Sequence, residues 1–374
     1  MRLTDLKTPC AIVDLPVLER NCARMRDRAA SLGVRLRPHV KTHKCPEIGR
    51  IQHGGEPGPV TVSTLAEARA FAAAGFTDFT YAVPIPFPAI PEAAELGRSV
   101  RLNLLLDSEA ALSELEAFAA AQGVRFPVLL KVDCGYHRAG VDPESPQGEA
   151  LAAKLAAASG VEFQGLLTHA GQAYGARSRE EARAFSEQER DAVVRFAARL
   201  RAAGIAVREV SVGSTPTCCA AEDLTGVTEI RPGNYAFFDA FQAAVGSCAP
   251  EDALAFTVLA TVIGHYPDRG RLLINAGALA LSKDPGPVHV DPSCGFGVLF
   301  TPDGRRIPRL RLRALSQEHG EVEGAAREDF ERLPIGSCVR VVRNHSCLSA
   351  ACFESYVVVS EEEIVDEWRP ARGW

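Results

Sequence analysis

The sequence predicts an α/β protein, a (β/α)8 TIM barrel followed by a smaller, mostly β C-terminal domain. Two observations carry this reading. Extended apolar runs alternate with helical stretches up to about residue 246, and beyond that point β-branched runs separated by Gly, Pro and Asp replace the helical periods. Eight strands are expected in the first part, at about 34–40, 59–63, 78–83, 101–106, 127–133, 162–168, 207–212 and 227–231. Between them lie stretches rich in Ala, Leu, Glu and Arg, such as Leu65 to Ala74, Ser108 to Gln122, Glu149 to Ser159 and Arg179 to Ala203. Several of these show apolar residues three to four apart, the spacing of one helix face. An open doubly wound sheet is the alternative, but the glycine-rich dinucleotide fingerprint is missing after the first strand.

The expected barrel covers 14–246 and the expected β domain 247–374. In the latter, strands are read at Ala255–Gly264, Gly270–Ile274, Arg309–Leu312, Cys338–Val342 and Ser355–Val359. One earlier run, Cys10–Asp14, precedes the barrel alternation, and residues 1–13 are expected to add a strand to the β domain.

Composition narrows the function classes. The chain has 374 residues, 47% of them apolar, long enough for two sizeable cores. Its 41 basic and 47 acidic side chains leave a net charge of −6 without a basic block, which argues against a nucleic-acid partner. No apolar run is long enough to span a bilayer, and Met1–Lys7 lacks a secretory hydrophobic region. Eleven scattered cysteines without a C-x-x-C pair read as reduced thiols, so a cytoplasmic location is expected.

In a barrel of this kind the active site lies at the carboxyl ends of the strands. Lys41 ends the first strand, where a lysine amine can bind a carbonyl cofactor covalently. Asp133–Arg138 follows strand five, Thr168–Tyr174 strand six, Gly213–Thr217 strand seven and Arg231–Tyr235 strand eight. Gly213-Ser214-Thr215 offers backbone amides and hydroxyls, and Gly233-Asn234 a close backbone approach and another amide. That chemistry suits a phosphate dianion. Each loop by itself also fits an ordinary turn; both in the expected positions, with a lysine opposite, point to a phosphorylated cofactor. Far downstream, His345 and Cys347 follow the strand Val339–Val342. If the chain stays extended they share a face, and imidazole plus thiolate suits zinc with two positions left open. A capped strand end would look the same. His319 is either a substrate contact or a turn histidine, and Cys218-Cys219 read as packing at a helix start.

Six runs, in order, now carry a resemblance: Arg37-Pro38-His39-Val40-Lys41-Thr42, Thr168-His169-Ala170-Gly171, Val212-Gly213-Ser214-Thr215-Pro216-Thr217, Arg231-Pro232-Gly233, Gln317-Glu318-His319-Gly320 and Asn344-His345-Ser346-Cys347. Together they resemble the D-serine dehydratase and D-threonine aldolase family, whose barrel is of the alanine racemase type. The chain is especially similar to the D-threo-3-hydroxyaspartate dehydratases and eukaryotic-type D-serine dehydratases within it. The resemblance implies a pyridoxal 5′-phosphate (PLP) enzyme with a divalent metal in its β domain, zinc first, with manganese, cobalt or magnesium as alternatives. It also implies a homodimer. By the family pattern Lys41 is the Schiff-base lysine, and Arg138 the arginine near the pyridoxal phenolic oxygen. His169 and Tyr174 line the ring, Thr215, Thr217, Gly233 and Asn234 form the phosphate cup, and His345 and Cys347 hold the metal.

The family's aldolases tend to carry His-x-Asp and its dehydratases His-x-Cys. This chain has the cysteine, so the resemblance points to dehydration of a D-β-hydroxy amino acid: D-serine, D-threonine or 3-hydroxy-D-aspartate. A D-threonine-type retro-aldol lyase on the same site is the alternative, and a non-catalytic PLP-binding barrel the reading from another class. The Gly-Tyr-x-Asp-Gly run that supplies a tyrosine base in alanine racemases is missing, which argues against racemisation.

Overall fold

The computed structural model describes residues 2–249, 253–361 and 363–374. Strands are β1 Cys10–Asp14, β2 Arg35–Leu36, β3 Val60–Val62, β4 Asp78–Pro84, β5 Arg101–Leu106, β6 Phe126–Lys131, β7 Val161–Leu167, β8 Glu209–Val212 and β9 Glu229–Ile230, followed by β10 Phe256–Tyr266, β11 Arg271–Ile274, β12 Gly297–Phe300, β13 Arg306–Leu315, β14 Gly320–Glu323, β15 Cys338–Arg343, β16 Tyr356–Ser360 and β17 Glu363–Trp368. They divide between two compact units, Arg24–Gly233 with Ala371–Trp374, and Met1–Ala23 with Asn234–Pro370.

The first unit is the TIM-type barrel. Its eight parallel strands run in the order β2-β9-β8-β7-β6-β5-β4-β3. The two ends of that order meet in a parallel bridge between His39 and Thr61, where Thr61 N donates to Pro38 O at 2.9 Å. β2 is far shorter than the expected 34–40. Pro38 has no N–H to give the ladder, and the backbone tightens into a 3-10 turn at Val40–Thr42. The connecting helices start at side-chain caps: Thr64, Ser108, Ser145 and Ser178 each accept from a backbone N–H three residues on. Gly165 in β7 sits at φ +147°, and a Cβ there would overlap the Glu209 backbone of β8. Only glycine lets these two strands approach so closely.

Apolar residues of three adjacent strands, Leu105, Leu129 and Leu167, form one buried cluster of the barrel. A buried polar chain accompanies it. Arg37 pairs with Asp78 Oδ1 at 2.7 Å and Glu229 Oε2 at 2.7 Å. Glu229 Oε1 accepts from Ser211 Oγ at 2.7 Å, and Ser211 Oγ accepts from Arg231 Nη1 at 2.6 Å. Every charge in this chain has a partner, as burial requires.

The second unit is a nine-stranded sheet ordered β11-β14-β13-β12-β15-β10-β1-β16-β17. An additional β10–β11 pairing closes six of its strands into an antiparallel barrel. β1 lies antiparallel to β10 and parallel to β16. Phe237, Phe256 and Tyr356 pack as an aromatic core cluster with ring centroids 5.0–6.0 Å apart.

Unit boundaries fall at 23/24 and 233/234 rather than at the expected 14 and 246, for visible reasons. Asn21, on the helix Leu15–Ser31, donates to Ala236 O at 3.1 Å and Ala253 O at 2.7 Å. Phe241 N donates to Asn344 O at 3.1 Å. These bonds draw the first half of that helix and the segment after Gly233 into the β unit. β12, β14 and β17 are additional to the expected strands.

Candidate active site

Lys41 lies in the 3-10 turn that ends β2, with its side chain exposed. Its backbone N–H points at His39 Nδ1, 3.5 Å away. The neighbouring Lys44 is held differently: it adopts φ +53° and its ammonium pairs with the buried Glu67 carboxylate at 3.0 Å. Of the two lysines beyond β2, Lys44 is therefore tied to the wall, while Lys41 makes no ion pair among the described residues. His39 and His169 are both held well below the ordinary imidazole range, first by burial and then by the Lys41 charge. His169 Nδ1 lies 3.2 Å from Gly213 O, which can only accept, so Nδ1 carries the proton of the neutral ring and leaves Nε2 as an acceptor.

The loop after β6 brings Arg138 to the same rim. Asp133 Oδ1 accepts from Gly135 N and His137 N at 2.9 and 3.0 Å and fixes the loop's turn. The Arg138 guanidinium lies 5.2 Å from the centre of the Tyr136 ring, and that ring meets His169 edge to face at 6.1 Å. Tyr174 stands in the 3-10 turn Gly171–Gly175 after β7, half-buried.

The loop after β8 is capped by Ser214, with the short helix Thr215–Ala220 following. Its two threonines differ. Thr217 Oγ1 is occupied: it accepts from Ser214 N at 3.0 Å and faces Ser214 O at 3.2 Å and Glu189 Oε2 at 3.4 Å. Thr215 Oγ1 is buried without a partner. A buried hydroxyl left unpaired costs about 1–3 kcal/mol, so its position fits one that receives a ligand oxygen. Gly233 ends the loop after β9, where a Cβ would press on His39 O at 3.0 Å. Asn234 belongs to the other unit, and its side chain is engaged there, as described below. An accessible unpaired amine and a partnerless buried hydroxyl fit a carbonyl cofactor with a phosphate.

In the β unit, β15 runs to Arg343 and the chain turns at Asn344. It does not stay extended to Cys347: His345 caps the short helix Ser346–Ala350, and Cys347 is on that helix. The two side chains still meet, through a hydrogen bond between imidazole and thiol. Burial lowers the His345 pKa, but Cys347, Asp239 and Asp284 outweigh it and push it up to about 10. Asp239 Oδ2 lies 3.5 Å from His345 Nδ1 and accepts from Ser346 N at 2.9 Å and Asn234 Nδ2 at 2.7 Å. Asn234 Nδ2 is also 3.6 Å from Cys347 Sγ. Among the described residues no cluster of three or more His, Cys, Asp or Glu side chains forms a ready cation cage. The imidazole of His345 and the sulfur of Cys347 are the two adjacent donors that could hold a borderline-soft metal ion. His319 is in the exposed turn between β13 and β14.

Three comparisons with known proteins bear on this arrangement. Residues 13–240 match the family model described as alanine racemase, N-terminal domain, and residues 255–359 match a serine dehydratase domain. The chain belongs to this family. It is 41% identical to the D-threo-3-hydroxyaspartate dehydratase of Delftia sp. strain HT23, over 100% of this chain and 99% of that enzyme. The solved structure of that dehydratase superposes with a TM-score of 0.96, covering 100% of both chains at 40% identity. A cysteine-to-alanine mutant of it, solved in the metal-free form, superposes at 0.95 with 40% identity over 100% of both chains. The D-serine dehydratase of Dictyostelium discoideum is 36% identical over 100% of this chain and 98% of its own length. The D-threonine aldolase of Arthrobacter sp. is 30% identical over 100% of this chain and 94% of its own length. The family is one of PLP-dependent fold.

For a member of such a family, three further residues stand out that the motifs did not reveal, Lys131, Asp239 and Glu189, beside Arg231 of the Arg231-Pro232-Gly233 run. Lys131 ends β6, almost fully buried; burial, then the Arg231 charge, brings its amine down to about 8. Arg231 donates to Ser211 Oγ and to Thr168 O. Asp239 orients the His345 turn, and Glu189 ties two rim loops together. Lys131 has a faint signal, a lysine closing an apolar strand. Asp239 and Glu189 have none, since a helix cap and a mid-helix carboxylate are everywhere in such chains.

Proposed function

We propose that the protein is a PLP- and divalent-metal-dependent lyase that dehydrates a D-β-hydroxy amino acid to a 2-oxo acid and ammonia. What carries this reading is an exposed Lys41 amine with no ion pair among the described residues, together with the partnerless buried Thr215 hydroxyl, in a chain whose relatives include D-threo-3-hydroxyaspartate and D-serine dehydratases. Lys41 would anchor the cofactor, with Thr215 and the Gly233 turn at its phosphate, and Arg138, His169 and Tyr174 along its ring. Bound PLP supplies an electron sink for the carbanion at Cα. His345 and Cys347 would hold the divalent metal, with zinc the first choice for this donor pair, and it would supply Lewis-acid chemistry for a leaving hydroxyl.

The chain's own groups then do the proton work. Lys41 Nζ would take the Cα proton as general base. The Cβ–O bond breaks and its electrons leave with the hydroxyl oxygen. Hydrolysis of the resulting enamine releases the 2-oxo acid and ammonia. His169, kept neutral by burial and by Lys41, adds no second cation against the ring. Aldol cleavage would break Cα–Cβ instead, and the aldolase relative keeps that reading as the second one.

A product assay on D-serine, D-threonine and D-threo-3-hydroxyaspartate, following keto acid, ammonia and aldehyde together, decides. Keto acid with equimolar ammonia, lost on chelation and restored by zinc, is the expected result. Aldehyde and glycine as the main products would replace dehydration with retro-aldol cleavage. Full activity in a preparation shown metal-free by elemental analysis would remove the metal from the proposal.

A further inference from the structure

The helix Arg179–Ala202 carries a buried carboxylate, Glu189, that faces the rim from behind. Its Oε1 accepts from Thr168 Oγ1 at 2.6 Å, Ala170 N at 3.1 Å and Gly213 N at 3.0 Å. Its Oε2 faces Thr217 Oγ1 at 3.4 Å. Thr168 and Ala170 bracket His169 in the loop after β7. Gly213 and Thr217 bracket Ser214 and Thr215 in the loop after β8. One side chain thus sets both turns, and His169 Nδ1 bonded to Gly213 O couples them a second time.

These bonds also sort the donors of the β8 loop. Gly213 N–H is spent on Glu189, and the Thr217 hydroxyl is turned inward between Ser214 and Glu189. Thr215 Oγ1 is what the sorting leaves without a partner. A carboxylate close to an incoming phosphate would repel it unless its charge were already engaged; here three donors converge on Oε1.

We propose that Glu189 is a positioning residue for the phosphate end of the cofactor: it draws Gly213 and Thr217 away from the ligand, presents Thr215 to it and fixes His169 against the ring. The proposal rests on the PLP reading above. It makes Thr215, and not Thr217, the side chain that touches phosphate.

The test is PLP uptake by the apoprotein, read by visible absorbance and by the circular dichroism of the bound cofactor, for E189Q, E189A, T215V and T217V. Glutamine keeps one carbonyl oxygen for Thr168, Ala170 and Gly213, so E189Q is expected to hold PLP within about threefold of wild type. E189A frees both turns and is expected to weaken PLP by about tenfold or more and to change the cofactor's dichroism, with the far-ultraviolet spectrum retained. T215V is expected to weaken binding by about tenfold and T217V by no more than about threefold. If E189A does not fold, the comparison of T215V with T217V still decides. A folded E189A with wild-type affinity and dichroism overturns the proposal, as does T217V losing as much affinity as T215V. Wild-type protein that takes up no PLP overturns the cofactor reading itself, before any variant is compared.

Discussion

Two lysines three residues apart separate cleanly by what they touch. Lys44 has its counter-ion in Glu67, whereas Lys41 is exposed with none among the described residues. Borohydride reduction of the holoenzyme is therefore expected to fix the pyridoxyl group on Lys41, located by peptide mapping. K41A should lose turnover by several orders of magnitude, because anchor and base go together; K44A should leave the label on Lys41. A label on Lys44 in the wild type would refute the assignment. Lys131 makes a different kind of claim. Its folded pKa of about 8 lies below the free-lysine value of 10.5, so between those limits the unfolded chain binds more protons than the folded one. Stability should then rise with pH from about 8 to 10.5. A shift of this size corresponds to a few kcal/mol, on the order of 1.4 kcal/mol per pKa unit. K131M should raise the thermal midpoint near neutral pH and flatten that slope. An unchanged slope in K131M would show that the amine is solvated or paired in solution.

The strands show what was legible in the sequence. Strands β3 to β8 lie where apolar runs meet turn residues, since a parallel strand buried on both faces must read as such a run, whereas β2 and β9 shrink to two residues each. β14 and β17 escaped because they are charged, Gly320-Glu321-Val322-Glu323 and a run beginning with Glu363; for β17, at the sheet edge, that charge discourages edge-to-edge pairing. Knowing the barrel also pointed to the rim, so Lys41 and the loops carrying Arg138, His169 and Thr215 could be read from strand ends, while the roles of the last three came from the family resemblance. Glu189 could not, because the helix that carries it is rich in carboxylates and only the fold shows which one turns inward. His345 and Cys347 would share a face only if the chain stayed extended; instead His345 caps the helix that carries Cys347, and imidazole and thiol meet by a hydrogen bond. Asp239 braces that turn through His345 and Ser346. D239A is expected to weaken metal affinity by about 10–100-fold, measured by competition with a chelator. Wild-type affinity in that variant would show that the pair holds its ion without support.

At the scale of the whole molecule, only one base is assigned, Lys41, and no tyrosine run stands to serve the opposite face of Cα. A one-base site is expected to accept one hand of the substrate and not to interconvert the two. D-serine should be consumed without exchange into L-serine, checked by chiral chromatography of the residual substrate, and L-serine should persist. Comparable turnover of both hands would require a second base. The working unit is expected to be a homodimer by light scattering at assay concentration, as the family resemblance implies; a fully active monomer would overturn that expectation. No helix among the described residues is long and apolar enough to cross a membrane.

The place of β1 has a consequence for how the chain is made. Cys10 pairs with Leu259, and Ala11 with Tyr356, so β1 leaves the ribosome well before either of its neighbours. Synthesis at about 5–20 residues per second leaves it waiting on the order of ten seconds or more. The main stretch of the barrel unit, Arg24 to Gly233, is made before β10 emerges. Until β10 and β16 emerge, an apolar strand with both edges unsatisfied stands ahead of the nascent barrel, a natural client for a chaperone and the segment through which newly made chains would first stick to one another.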